Sequence, residues 1–368
     1  MIDRRSLILA AGAGIAQIGQ RVLPRLTLPQ LLDQTNVPAL GGAVITPKGI
    51  VGLEAQGRRR SGVRIPVTNQ DLWLIGSNTQ AMTAALYARL AETGRVKWGA
   101  KVPELFPDIQ VDGAWENVGV EELMAHVAGV SDEPFATEGA LHKWLTDTRP
   151  ITVQRTAFAK AILTAPPAGR RGDYVFSNAG YVIVGAAIER ATKMDWETSI
   201  SGELFGPLSL DSAGFGAPTG EEPWGHARID AKHNLQVNPA AEADDPPVFG
   251  PASRVHLSLE DYAKFVRLFL TNGGDYLQPR SLAHIASPIV DDPTGPAPGW
   301  LVTNERSWAQ GPVLTQRSSS GYWSSTALIG PAKGLAVIAV CNAGGADFGG
   351  AAVERLALSL IQKFALKP

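Results

Sequence analysis

Any covalent chemistry in this chain would turn on Ser77. It stands in Gly76-Ser77-Asn78-Thr79-Gln80, after the apolar run Leu72-Trp73-Leu74-Ile75 and at the start of a helical pattern. A serine hydroxyl is a poor nucleophile until a neighbouring base takes its proton. A residue at i+3 on a helix shares the serine's face and is placed to act as that base. Here that residue is Gln80, whose amide can hydrogen-bond a hydroxyl but cannot take its proton at neutral pH. Backbone N–H groups at the helix start would still help hold a developing oxyanion. Two further segments carry polar groups of use to such a site: Phe176-Ser177-Asn178 has an amide, and Gln316-Arg317-Ser318 a cation and a hydroxyl. Simpler readings stand beside these. Ser77 is a favoured helix N-cap type, and Asn178 after Ser177 can order a turn.

The elements that would position these residues are legible from pattern. Residues 39 to 47 and 50 to 55 are two apolar runs joined by Pro47-Lys48-Gly49, which predicts a β-hairpin. From Asn78 to Thr93 the spacing of Met82, Leu86 and Leu90 predicts a helix stopped by Gly94. Val120 to His126, Thr152 to Leu163, Ala179 to Ala191 and Leu259 to Thr271 also show helical spacing. Residues 213 to 256 carry little periodicity and much Gly, Pro and Asp, so a long loop is expected there, either a wall of a cleft or a linker. Ser324 to Ile329 and Leu335 to Cys341 are expected strands around the turn 330 to 334, and Ala351 to Phe364 a closing helix. Strands at both ends with helices between imply one sheet shared by the two ends and a helical lobe packed on it.

Bulk properties narrow the function classes. Hydrophobic residues make up 45% of 368, enough for a substantial core in one large domain or two lobes. Net charge is -2 and Arg58-Arg59-Arg60 is the longest run of like charge, so nucleic-acid binding has no electrostatic footprint. Cys341 is the single cysteine; it sits in an apolar run, reads as a packed thiol, and leaves no intrachain disulfide. Nothing in the sequence calls for a cofactor or a metal ion. No apolar stretch is long enough to span a bilayer. Asp3-Arg4-Arg5-Ser6 before small and apolar residues through Ala16 is similar to a twin-arginine export signal, so residues 1 to 25 are read as a possible export segment and a periplasmic location is expected; a retained amphipathic helix, with a cytoplasmic location, is the alternative.

Together the segments resemble the serine β-lactamase and penicillin-binding-protein superfamily, in its class C-like and esterase branch. The likeness covers roughly residues 30 to 365. It rests on Val37-Pro38-Ala39-Leu40-Gly41-Gly42, on Asp71 through Ser77, and on Leu123-Met124-Ala125-His126-Val127-Ala128-Gly129. Leu204-Phe205-Gly206-Pro207-Leu208 and Ser258 through Phe265 extend it, and order and spacing carry it more than any single match. The resemblance implies an α/β (α+β) two-lobe fold with an antiparallel sheet, a mostly helical lobe and a cleft between them. The domain would span 26 to 365, with 26 to 76 and about 300 to 365 in the sheet lobe and 77 to 299 in the helical lobe. It further implies S-x-x-K, Y-x-N and K/H-T-G motifs, which here read SNTQ, FSN and QRS. Lys, Tyr, and Lys or His are thus replaced by Gln80, Phe176 and Gln316. Tyr174, two residues before Phe176, is the nearest phenolic hydroxyl along the chain; His126 matches a family histidine that is usually structural. Ser77 would be the nucleophile, with Asn178, Arg317 and Ser318 binding substrate. A positioned acid or base is worth about two to four orders of magnitude in rate, so fast β-lactam hydrolysis is not expected. Two functions remain open: a residual esterase or peptidase with rewired proton transfer, and a non-catalytic protein holding a small-molecule or peptide ligand, cell-wall or ester-like, in the cleft.

Overall fold

The computed structural model describes residues 26–229, 234–236, 244–304 and 307–365. The export-like segment at 1 to 25 lies outside them. In chain order the principal elements are helix α1 (Leu28–Thr35), the hairpin β1 (Ala39–Thr46) and β2 (Gly49–Gly57), and helices α2 (Thr79–Glu92), α3 (Ile151–Leu163), α4 (Asn178–Thr192) and α5 (Leu259–Arg267). Strands β3 (Gly295–Ala297), β4 (Trp300–Thr303), β5 (Val313–Ser319), β6 (Ser324–Gly330) and β7 (Leu335–Cys341) follow, and helix α6 (Ala351–Phe364) closes the fold.

Among the described residues these strands form a seven-stranded sheet in the order β2-β1-β7-β6-β5-β4-β3, every pair antiparallel. The ends of the chain meet where β1 pairs β7, Leu40 opposite Cys341. Strand alternation then sorts side chains between two layers. Ala39, Ala43 and Ile45 of β1, with Ala336, Ile338 and Val340 of β7, face the large core shared with the helical lobe. Leu40 and Val44, with Val337, Ala339 and Cys341, face a second core beneath α1 and α6. The sheet is covered on both faces, so β7, which is buried along its whole length, reads as an unbroken apolar run.

Helix α2 runs through the middle of the larger core and is buried nearly all round. Alanines at 81, 84, 85 and 88 keep it slim, so neighbouring helices can close on it from several sides. The helix predicted from Val120 ends at Met124, because His126 turns the chain with φ +62°. The predicted helix from Leu259 narrows to a 3₁₀ turn over Leu268–Leu270 before it reaches Thr271.

The segment 213 to 256 is not a featureless loop. Gly214–Phe215 and Trp73–Leu74 both pair with Val255–Leu257, and His226–Arg228 pairs with Asn234–Gln236. Strands of two or three residues are too short to show alternation, which is why pattern alone missed them. They also carry function, since Ile75 N–H donates to Val255 O (3.0 Å) and Val255 N–H to Thr79 Oγ1 (3.1 Å), pinning the start of the Ser77 helix.

Candidate active site

Ser77 lies in a 3₁₀ turn, Gly76–Asn78, that feeds α2. Gly76 makes the turn possible. Its φ is +54°, and a Cβ there would come within 2.1 Å of Ser318 Oγ, so a side chain would meet both backbone strain and a clash. The strands below clamp the turn. Ser325 of β6 donates from Oγ to Ile75 O (2.6 Å) and accepts from Asn78 Nδ2 (2.6 Å), while Tyr262 of α5 donates to Asn78 Oδ1 (2.6 Å). The Ser77 side chain caps nothing, and among the described residues no group hydrogen-bonds its hydroxyl. Its backbone N–H is taken, however: it donates to Ser318 Oγ at 3.0 Å.

Gln80 follows one turn on and is fully buried. Its amide is held between two side chains. The Ser177 N–H donates to His126 Nδ1 (3.1 Å), so the imidazole proton is on Nε2. Nε2–H then faces Gln80 Oε1 (3.1 Å), and Gln80 Nε2 donates to Asn178 Oδ1 (3.2 Å). The result is a directed chain, Ser177 to His126 to Gln80 to Asn178, in which every member is neutral. Burial pushes the His126 imidazole down to about 3, so it stays neutral at physiological pH. Neither ring nitrogen is available to take a proton from Ser77.

The N-terminus of α4 supports this chain from behind. Ser177 is its N-cap, accepting from Gly180 N–H (3.2 Å) and donating to Asp132 Oδ1 (2.8 Å). Asp132 also accepts from the N–H groups of Asn178 (2.8 Å) and Ala179 (2.9 Å), a favourable place for a carboxylate. Burial nevertheless raises its pKa, outweighing those bonds. Phe176 is partly buried, its ring packed on His126 with centroids 4.7 Å apart. Tyr174 sits edge-on to the same imidazole at 5.9 Å and is half exposed; among the described residues its hydroxyl has no hydrogen-bond partner.

Gln316 and Ser318 project from one face of β5 toward α2, two residues apart as strand geometry requires. Strand β4 pairs only with Val313, Leu314 and Thr315, so β5 has a free edge from Gln316 onward. Gln316 spends its amide on that edge. Its Oε1 accepts from Arg317 N–H (3.0 Å) and its Nε2 donates to Gly299 O (2.9 Å). Gly299 is itself seated on α2, where a Cβ would be 2.7 Å from Ala81 Cα.

The structure therefore brings Ser77, Gln80, Phe176, Asn178, Gln316 and Ser318 to one place. It does not bring Arg317 there. Strand alternation puts Arg317 on the opposite face, where its guanidinium pairs with Glu354 of α6 at 2.7 Å, so the expected substrate cation is not at the site. Sequence reasoning missed Asp132 and Tyr262. Asp132 sits beside Glu133 in a stretch without periodicity and belongs to no motif, so it gives no signal. Tyr262 belongs to a helical core face, and nothing in the sequence marks a hydroxyl partner 184 residues away.

Comparison with known proteins bears on the fold and the family. A curated relative, penicillin-binding protein 4 of Amycolatopsis lactamdurans, is 25% identical over 254 residues, covering 66% of this chain and 62% of that protein. The chain spans between 52% and 62% of the length of that relative and the next. The D-amino acid amidase of Ochrobactrum anthropi SV3, solved with L-phenylalanine amide, superposes with a TM-score of 0.72 at 17% identity, covering 91% of this chain and 98% of the amidase. The octameric penicillin-binding protein homologue of Pyrococcus abyssi gives 0.71 at 19% identity, covering 91% and 76%. These likenesses show the β-lactamase and transpeptidase-like fold, and among the described residues no helix is long and apolar enough to cross a membrane. The family model described as Beta-lactamase matches residues 25–360, and the chain belongs to that family.

Proposed function

We propose that this protein binds a peptide- or amide-like ligand in the cleft beside Ser77 without turning it over at an enzymatic rate. One observation carries the reading. The group at i+3 from the serine is an amide with both ends engaged, and the imidazole behind it is neutral and fully used. A nucleophile with no base in reach keeps its proton. The loss is compounded at Phe176, which has no hydroxyl, and at Gln316, whose amide ties strand to turn. The ligand class follows the neighbours: the relative is a penicillin-binding protein, and the amidase was solved with an amino acid amide. Asn178 stands beside Gln80 in this cleft, its Oδ1 accepting from Gln80 and its side chain also hydrogen-bonded to Asp132, so a ligand amide would meet an already oriented group.

A slow acyl transfer is the second reading, favoured by the Ser77 hydroxyl, which among the described residues is bound by nothing. The test is a pair of measurements on the wild-type protein. Isothermal titration with L-phenylalanine amide and with an N-acylated D-Ala-D-Ala dipeptide should show non-covalent binding of at least one. A chromogenic cephalosporin should be hydrolysed barely above background. Turnover near one per second, roughly the low end of ordinary enzymes, abolished by Ser77→Ala, would overturn the reading.

A further inference from the structure

We propose that the Ser318 hydroxyl is a built-in occupant of the acyl-oxygen position of this cleft, and so decides which ligands it accepts. The inference rests on the reading that the space beside Ser77 is the ligand site. A carbonyl group attacked by Ser77, or resting against it, needs a backbone N–H at the start of the helix to receive its oxygen. The N–H so placed is that of Ser77 itself, and it already donates to Ser318 Oγ at 3.0 Å. That oxygen stands where an incoming carbonyl oxygen would stand, at ordinary hydrogen-bond length.

Three further observations show that the occupation is built in. Ser318 is 7% exposed, in the middle of the clamp formed by β5 and β6, with Ser325 directly opposite it in the ladder. Gly76 leaves the space that the hydroxyl fills: a Cβ at position 76 would lie 2.1 Å from Ser318 Oγ. And the turn cannot draw away from the strands, because Ser325 beside Ser318 donates to Ile75 O and accepts from Asn78 Nδ2, both at 2.6 Å. In the K/H-T-G motif that β5 resembles, Ser318 replaces glycine, the residue that would leave this position open. The loss at this site is thus twofold: Gln80 removes the base, and Ser318 fills the receptor for the developing charge.

The prediction is read with phenylboronic acid, whose trigonal boron accepts a serine oxygen to become a tetrahedral anion. The Oγ–B bond forms, the hydroxyl proton passes to buffer, and no bond to boron breaks. Because the measurement is made at equilibrium, a slow proton transfer does not affect it. Ser318→Gly and Ser318→Ala should each bind the boronate at least about tenfold more tightly than wild type, a modest share of the 10²–10³ that one oxyanion donor contributes to a rate. ¹¹B NMR should show the tetrahedral species, and adding Ser77→Ala should abolish the gain. Ser318→Ala keeps a Cβ in the strand, so it reports even where Ser318→Gly weakens the sheet. Wild type binding as tightly as both variants, a folded Ser318→Ala that gains nothing, or a gain that survives Ser77→Ala would each overturn the proposal. Failure of the binding-protein reading looks different: rapid turnover by wild type, whatever the Ser318 variants do.

Discussion

Replacing His126 tests whether the chain of hydrogen bonds behind Ser77 is neutral. Burial holds the folded imidazole at about 3, whereas an exposed histidine titrates near 6.5. Below about pH 6.5 the unfolded chain takes up a proton that the folded chain refuses, so the stability His126 contributes is full above 6.5 and is lost as pH falls toward 3. At pH 5 the difference is 1.5 units at 1.36 kcal/mol each, or about 2 kcal/mol. The whole-protein slope does not isolate this. Asp245, which burial pushes up to about 6, acts in the opposite sense, because the folded state takes its proton first as pH falls. The informative quantity is a difference of differences. His126→Asn is chosen because asparagine tolerates the left-handed backbone at φ +62°. Urea unfolding of both proteins at pH 7.5 and pH 5 should show wild type losing about 2 kcal/mol more than the variant across that interval. The pH-independent cost of breaking the bonds to Ser177 and Gln80 cancels. Equal pH dependence in the two proteins would mean that His126 is charged or solvated near pH 6, and the neutral chain would be refuted.

Three other outcomes follow from the same geometry. Gln80→Lys alone should lower stability at pH 7 by about 2–4 kcal/mol, because a buried ammonium would have lost its water. Its depressed pKa means that the cost should shrink as pH rises, which urea unfolding at pH 7 and 9 would show. Gln80→Lys with Phe176→Tyr and Gln316→Lys would return base, hydroxyl and cation together, and its adduct with an activated ester, followed by intact mass, should form faster than that of wild type. A folded triple variant with no gain would mean that the cleft has diverged beyond these positions. Arg317→Ala should leave ligand affinity unchanged and cost at most about 1 kcal/mol, since its partly exposed pair with Glu354 lies on the far face of the sheet; a clear loss of affinity by titration would restore it to the site.

Much of the framework was legible because it follows repeating physics. Apolar runs bounded by Gly and Pro located β1, β2, β6 and β7, and four-residue spacing located α2, α3 and α4. The order of three short motifs was enough to gather Ser77, Asn178 and Ser318 although they are hundreds of residues apart in the chain. What the sequence hid was direction and pairing. Gln316 and Arg317 are adjacent, yet strand alternation sends one toward α2 and the other to Glu354, and a motif alignment carries no information about which face is which. The short strands of 213 to 256 have no room for periodicity. Ser318 was visible as a substrate-binding candidate; that its hydroxyl would turn back onto the Ser77 N–H depends on a distance no pattern encodes.

The central claim, that Ser77 lies at the heart of an acyl-transfer scaffold without the means to lose its proton, is tested most directly by intact-mass spectrometry. Purified wild-type protein would be incubated with a fluorescent β-lactam and, separately, with a fluorophosphonate, beside Ser77→Ala. The account predicts that over hours wild type gains no more adduct than Ser77→Ala from either reagent. Rapid, stoichiometric modification of wild type, mapped to Ser77 and absent from Ser77→Ala, would contradict it and require another group to supply the base.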